Sequence, residues 1–279
     1  MRRIQMEQVR SAAMIGLLAG VVLFASGCNK LKARDNLNKG VNAFRSGQYT
    51  AAADAFKEAI ELDPELPAAR LYLATAYMSQ YVPGSDTPEN KRNADSALEQ
   101  FNQVLQGDPK NLLATQSVAN LYYQMKDLPK ATEWEKKVIA IDPKNKEAYY
   151  TLGVIAWTQF VPADREARAA QSMSPEAPGP LKSAKAAKGK TDPKDELKAK
   201  YWQSLTDGVG FEQKALDVDP EYENAMAYMN LLIRYRADLL DTKEEYQAAV
   251  KEADNWVQKN LETTKLKAKR KAEKAEQTQ

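Results

Sequence analysis

Histidine is missing from all 279 residues of this chain. That one absence removes imidazole bases, Ser-His-Asp and Cys-His nucleophile sets and His-ligated zinc together. Cysteine is nearly as scarce, and with Cys28 the only one, no internal disulfide can form. An excess of either charge is lacking as well, because 40 basic residues against 38 acidic ones leave a formal net charge of only +2. No global basic field argues for nucleic acid. Long hydrophobic runs are also lacking: the one apolar stretch, Ala12 to Ala25, is shorter than the ~20 residues that cross a bilayer. Gly189-Lys190-Thr191 ends like a phosphate-cradling loop, yet Ala184 stands where its first glycine belongs and no strand precedes it. Carboxylate pairs are plentiful, as on any solvated helix, and are weak grounds for acid-base chemistry. No catalytic residue, no cofactor and no metal site is expected, and the chain reads as a non-enzyme.

The N-terminus reads as an address. Arg2, Arg3 and Arg10 against Glu7 precede the apolar stretch, which has the length of a signal-peptide core. It ends in Phe24-Ala25-Ser26-Gly27-Cys28, which resembles the lipobox of bacterial lipoproteins, with Ala25 where leucine is commoner. The competing reading is a core cysteine inside an uncleaved anchor; the small residues before the lone Cys28 favour the lipobox. The resemblance implies a signal peptide over 1–27, lipid attachment at Cys28, a short linker over 28–32 and a membrane held through the anchor. Asn29 implies, by the same resemblance, the outer membrane facing the periplasm. Losing 1–27 removes three arginines and one glutamate, so the net charge of the remainder is zero.

Asp-Pro dipeptides punctuate the rest. Asp63-Pro64, Asp108-Pro109, Asp142-Pro143 and Asp219-Pro220 each close an amphipathic run, with Ala59, Val104, Val138 and Ala215 five positions before the proline. The second and third are 34 residues apart, and the other gaps exceed 34 by an inserted length. Two helical stretches per such period predict an α-solenoid, whose units bury their apolar faces against their neighbours. In the first unit Gly40, Ala52 and Ala59 are small enough for two helices to cross closely, Gly47 breaks the chain between them, and Tyr49, Phe56, Ile60 and Leu62 fill the seam.

These residues resemble the tetratricopeptide repeat, with a small residue in the first helix, Ala, aromatic and Ala in the second, and a closing proline. The first unit carries Gly40, Ala52, Phe56, Ala59 and Pro64; the second Leu73, Ala74, Tyr77, Ala97, Phe101, Val104 and Pro109. The third keeps Ala119, Tyr122, Ala131, Val138 and Pro143, but Glu135 holds its aromatic place beside Trp134. The fourth keeps Leu152, Gly153, Gly208, Ala215 and Pro220, with Phe211 one place before the expected aromatic. The resemblance implies an all-α, right-handed α-solenoid over 33–260. Its units fall at about 33–64, 65–109, 110–143, 144–220 and 221–260, the last a capping helix pair; a Lys-rich tail occupies 261–279.

Two insertions, about 81–91 and 161–200, begin alike with Gln80-Tyr81-Val82-Pro83 and Gln159-Phe160-Val161-Pro162. Both are expected to leave at the turn between paired helices, on one edge of the superhelix, with Tyr81 and Phe160 packing at the ends of their first helices. Pro162–Met173 is expected to be helical, Ser174–Pro193 to be an unstructured loop whose removal costs little, and Lys194–Val218 to be helical again. The loop and the tail lack the aromatics that base stacking requires, so they read as solvated segments, with weak attraction to anionic lipid as the sharper alternative.

A solenoid holds something, and the expected function is a lipid-anchored scaffold of the cell envelope that binds another envelope protein or peptide segment. Membership of an outer-membrane assembly or pilus machinery, or of an envelope enzyme as a non-catalytic accessory subunit, are the alternatives. The family's first helices line the concave side. Phe44, Asn120, Tyr123, Tyr150 and Trp157 are therefore the candidate binding residues, Tyr150, Val154 and Trp157 forming one face of their helix. Leu37, Val41, Leu71, Thr75 and Val154 on the same row point to an apolar-aromatic segment rather than a peptide carboxylate. The plainer alternative is that these rings pack against neighbouring repeats.

Overall fold

The computed structural model describes residues 28–174, 179–183 and 191–277. The expected signal peptide, 1–27, lies outside them. The described residues are all-α, without a strand among them, and they divide into two compact units that meet in sequence between Lys126 and Asp127.

The first unit holds α1 (28–45), α2 (Tyr49–Leu62), α3 (Pro67–Gln80), α4 (Pro88–Gly107) and α5 (Leu112–Gln124), each packed on the next. Residues 28–32, expected as a linker, are already helical. Gly47 turns the chain between α1 and α2 at φ +75°, where a side chain would be strained. Gly40 is needed for a different reason: a Cβ there would stand 2.4 Å from the ring of Phe56, which is wholly buried.

The Asp-Pro dipeptides close their helices in one way. The N–H of Asp63, Asp108, Asp142 and Asp219 donates to the carbonyl of Ala59, Val104, Val138 and Ala215, at 2.8–3.0 Å. Proline, with no N–H to give, then ends the ladder. Asn111 and Asn145 cap the next helices, accepting from Ala114 N and Ala148 N at 3.0 Å.

The second unit holds α6 (Leu128–Ile141), α7 (Lys146–Ala170), α8 (Pro193–Val218), α9 (Glu223–Ala237) and α10 (Lys243–Glu276). Here the expected course of the long insertion is corrected. The chain does not leave its helix at Phe160; α7 runs on through Pro162 to Ala170, and α8 begins at Pro193. The insertion therefore lengthens a hairpin. The matching tetrapeptides behave differently because their downstream neighbours differ. After Tyr81, which ends α3, Gly84 takes φ +81° and Val82 is 59 % exposed. After Phe160 come helix-forming alanines and buried contacts, and Val161 is 5 % exposed.

The shorter insertion is a shaped loop. Asn90 ties it, accepting from Val82 N at 2.7 Å and donating to the carbonyls of Val82 and Ser85 at 2.9 and 2.8 Å.

The expected loop 174–193 is also corrected where it is described, because 179–183 docks on the second unit. Leu181 is 1 % exposed among Ala156, Phe160, Leu205, Leu232 and Leu239, and its N–H donates to Asp238 O at 3.0 Å. Gly179 N donates to the Tyr246 hydroxyl at 2.8 Å, and Arg168, ion-paired with Asp164 and Asp238 at 2.9 and 2.6 Å, donates to Gly179 O at 3.3 Å. The Lys-rich stretch is no separate tail either: α10 continues through it to Glu276, with Arg270 on Glu221 and Lys267 on Glu223 at 2.7 and 3.0 Å.

Candidate protein-binding site

Aromatic side chains converge along α7 and α9, the first helices of two successive pairs in the second unit. Tyr150 and Trp157 are seven residues apart on α7, and Tyr228 and Tyr235 are seven apart on α9. Seven residues are nearly two turns, so each pair lies on one stripe of its helix, and the stripes interlock. Tyr150 meets Tyr222 and Tyr228 at centroid distances of 5.6 and 5.3 Å, and Trp157 meets Tyr228 and Tyr235 at 5.6 and 6.2 Å. Phe160 extends the row to Tyr235 and to Tyr201 of α8, at 6.0 and 5.4 Å. The contacts along the α7–α9 seam are edge-to-face, an attractive geometry worth ~0.5–1.5 kcal/mol per pair beyond burial.

The expected open face of α7 is thus corrected. Val154 is buried, and Tyr150 and Trp157 stand against α9 rather than free. They are nonetheless only half-buried, as are Tyr222, Tyr228 and Tyr235, so the seam has a solvent side. Lys146 closes one end, its Nζ 4.6 Å from the Tyr222 centroid and 2.7 Å from Asp219. The indole N–H of Trp157 is buried without an acceptor. Burial pushes the phenols of Tyr222 and Tyr235 above their ordinary range, so both stay neutral donors.

The other candidates belong to the first unit. Phe44 packs on Tyr49 at 5.2 Å. Asn120 is exposed on α5 and accepts from Gln124, while Tyr123, half-buried, has Lys126 Nζ 5.6 Å from its centroid. Cys28 is exposed. The structure brings together Tyr150 and Trp157 through Tyr228, and leaves Phe44 in a separate cluster with α2 and α3. Sequence reading missed Tyr222, Tyr228 and Tyr235. The repeated spacing of seven, shared by 150/157 and 228/235, was the signal for Tyr228 and Tyr235, while Tyr222, just before α9, lies outside that spacing.

Among the described residues no cluster of potential metal ligands occurs, and no helix is long and apolar enough to cross a membrane. Clefts on the described residues include one of about 350 Å³ lined by Pro64, Arg70, Leu71, Val104 and Asn111, and one of about 400 Å³ lined by Ala163, Ala167, Pro193, Leu197 and Tyr201.

Comparison with known proteins agrees with this architecture. Family profiles described as TPR repeat and tetratricopeptide repeat match residues 43–80 and 91–153. No curated protein sequence matches the chain. Similar solved structures include a crystal structure of MamA, 15% identical over 85% of this chain and 94% of that one, with a TM-score of 0.54. MamA from Desulfovibrio magneticus RS-1 is 18% identical over 84% and 96%, also with a TM-score of 0.54. Identities this low speak for the shared fold alone. With two matched stretches and Asp-Pro closures that recur beyond them, the chain carries tetratricopeptide repeats.

Proposed function

We propose that the protein is a non-catalytic scaffold, lipid-anchored in a bacterial cell envelope, that holds a partner protein or peptide segment. The repeats support the binding role, since stacked helical hairpins present extended surfaces to other chains. The observation that carries the reading is the half-buried aromatic seam of Tyr150, Trp157, Tyr228 and Tyr235. Rings of this kind supply contact area at low cost in side-chain freedom and dominate protein interfaces. An apolar-aromatic segment suits it better than a carboxylate terminus, because Lys146 is already engaged by Asp219.

The anchor rests on the Phe24 to Cys28 sequence, with Cys28 exposed, and Asn29 supports the outer membrane facing the periplasm.

Crosslinking in intact envelopes followed by pull-down identifies the partner; barrel precursors, pilin machinery or a synthase would separate the assembly and accessory readings. Trp157→Ala and Tyr228→Ala are then expected to weaken that partner at least tenfold while the protein stays helical. Unchanged affinity would remove the seam and move the search to the Asn90 loop. Cys28→Ala is expected to release the protein from membranes or leave it unprocessed, and an unmodified Cys28 in mature protein, read by mass spectrometry, would end the anchor reading.

A further inference from the structure

The repeat asks for an aromatic ring at one place in each second helix, and the second unit breaks that rule twice. Phe56 and Phe101 fill the place in the first unit, both wholly buried. In the second unit it is Glu135 on α6 and Glu212 on α8, 7 % and 0 % exposed. Glu212 is the sharper case. Its carboxyl lies in the crossing with α7, so close to Gly153 that a Cβ there would stand 2.1 Å from Oε1, and neither carboxyl oxygen has a hydrogen-bond partner.

Among the described residues no charged group offsets it. The helices packed against α8 are α7 and α9, and segment 179–183, whose one charged residue is Lys182, reaches it at Leu205. Between Ala148 and Ala163 α7 carries no charged residue; Lys146 and Glu147 lie at its start, and Asp164, Arg165, Glu166 and Arg168 near its end. On α9, Glu223 stands at the start and is bonded to Lys267, while Arg234 and Arg236 lie in the last turn, Arg234 on Asp254. On α8 itself, Lys214 rests over the rings of Tyr149 and Phe211. The titratable group that feels the Glu212 charge is the phenol of Tyr222, which also touches Tyr150. Burial alone pushes the Glu212 carboxyl up to about 9, and that of Glu135 to about 8.

We propose that Glu212 is a proton-operated latch on the α7–α8 crossing. Neutral, it fills the space that Gly153 vacates. When it gives its proton to solvent, the bare carboxylate has no partner there, draws water inward and loosens the crossing together with the seam built on α7. The device is independent of the scaffold reading, since it concerns the unit's own packing.

The sign is set by the direction of the shift. The native state keeps a proton that the unfolded chain releases above its ordinary value of 4.5. The stabilisation is fully present below pH 4.5 and is lost as pH rises towards about 9. In that window Glu212 alone raises the unfolding equilibrium constant by up to about tenfold per pH unit.

All four tryptophans, Trp134, Trp157, Trp202 and Trp256, lie in the second unit, so indole fluorescence reports that unit within the full chain. Urea unfolding followed by fluorescence at pH 5, 6, 7 and 8 is the test, on the wild type, Glu212→Gln, Glu212→Leu and, to separate the second carboxyl, Glu135→Gln. Both Glu212 variants are expected to lose about a tenfold change per pH unit relative to wild type, and Glu212→Leu reads the same slope should Glu212→Gln not fold. A native-state fluorescence titration of the wild type is expected to show a step near pH 9 that either variant lacks. Wild-type pH dependence in the folded Glu212 variants, or no such step in the wild type, would overturn the latch.

Discussion

The two units solve one packing problem with opposite chemistry. In the first, Gly40 opens a space and the ring of Phe56 fills it; in the second, Gly153 opens the matching space and an unpartnered carboxyl fills it. Burying such a ring contributes about 1.5–3 kcal/mol, whereas burying a polar group without a hydrogen bond costs ~2–7 kcal/mol on transfer scales. The repeat therefore dictates the volume of the side chain at that place and leaves its polarity open. What the second unit forgoes there it offsets elsewhere, with α7 and α8 of 25 and 26 residues against 14 in α2, an aromatic seam and the docked 179–183 segment.

The comparison breaks most visibly at the ring. Phe56→Ala is expected to destabilise the first unit by about 3–5 kcal/mol, read by circular dichroism in urea, and a loss under about 1 kcal/mol would mean that the ring is not its keystone. Next comes the compensation in the second unit. Leu181→Ala should cost about 2–3 kcal/mol in the fluorescence-monitored transition, because Leu181 is enclosed by five buried apolar side chains. No change would restore the reading of that segment as a mere loop. The smallest effect sharpens the central contrast: Glu212→Phe rebuilds the Phe56–Gly40 arrangement and should stabilise the second unit by about 1–2 kcal/mol at pH 8. The folded wild type keeps this proton at both pH 8 and pH 5, but the unfolded chain releases it at pH 8. Between pH 8 and pH 5 the effect should therefore fall by about tenfold in the unfolding equilibrium constant per pH unit and turn into a loss; an equal gain at both pH values would place its origin in volume alone.

Much of the fold was legible in the sequence, for reasons that residues make plain. The Asp-Pro closures, the small residues at crossings and the two-helix period all act locally, and each appeared where the spacing put it. Pro162 misled because Gln-aromatic-Val-Pro ends a helix at Tyr81, and the difference lies in Gly84 and in burial that no local pattern displays. The docked segment hid in a composition of Pro, Gly, Ala and Lys, although Leu181 is the one large apolar residue between Ser174 and Thr191. Within the candidate site, Tyr150 and Trp157 were recognised from their helical spacing. Their partners on α9 were not, since that pairing joins helices more than seventy residues apart along the chain.

Inside α7, Pro162 has no amide to give to the carbonyl of Thr158 four residues earlier, so the ladder of that helix has a missing rung between two well-packed halves. Opening fluctuations concentrate where a rung is absent. Deuterium uptake along α7 is thus set to rise locally around Pro162, and a probe of amide exchange would see one continuous helix as two protected blocks with a seam of faster exchange between them.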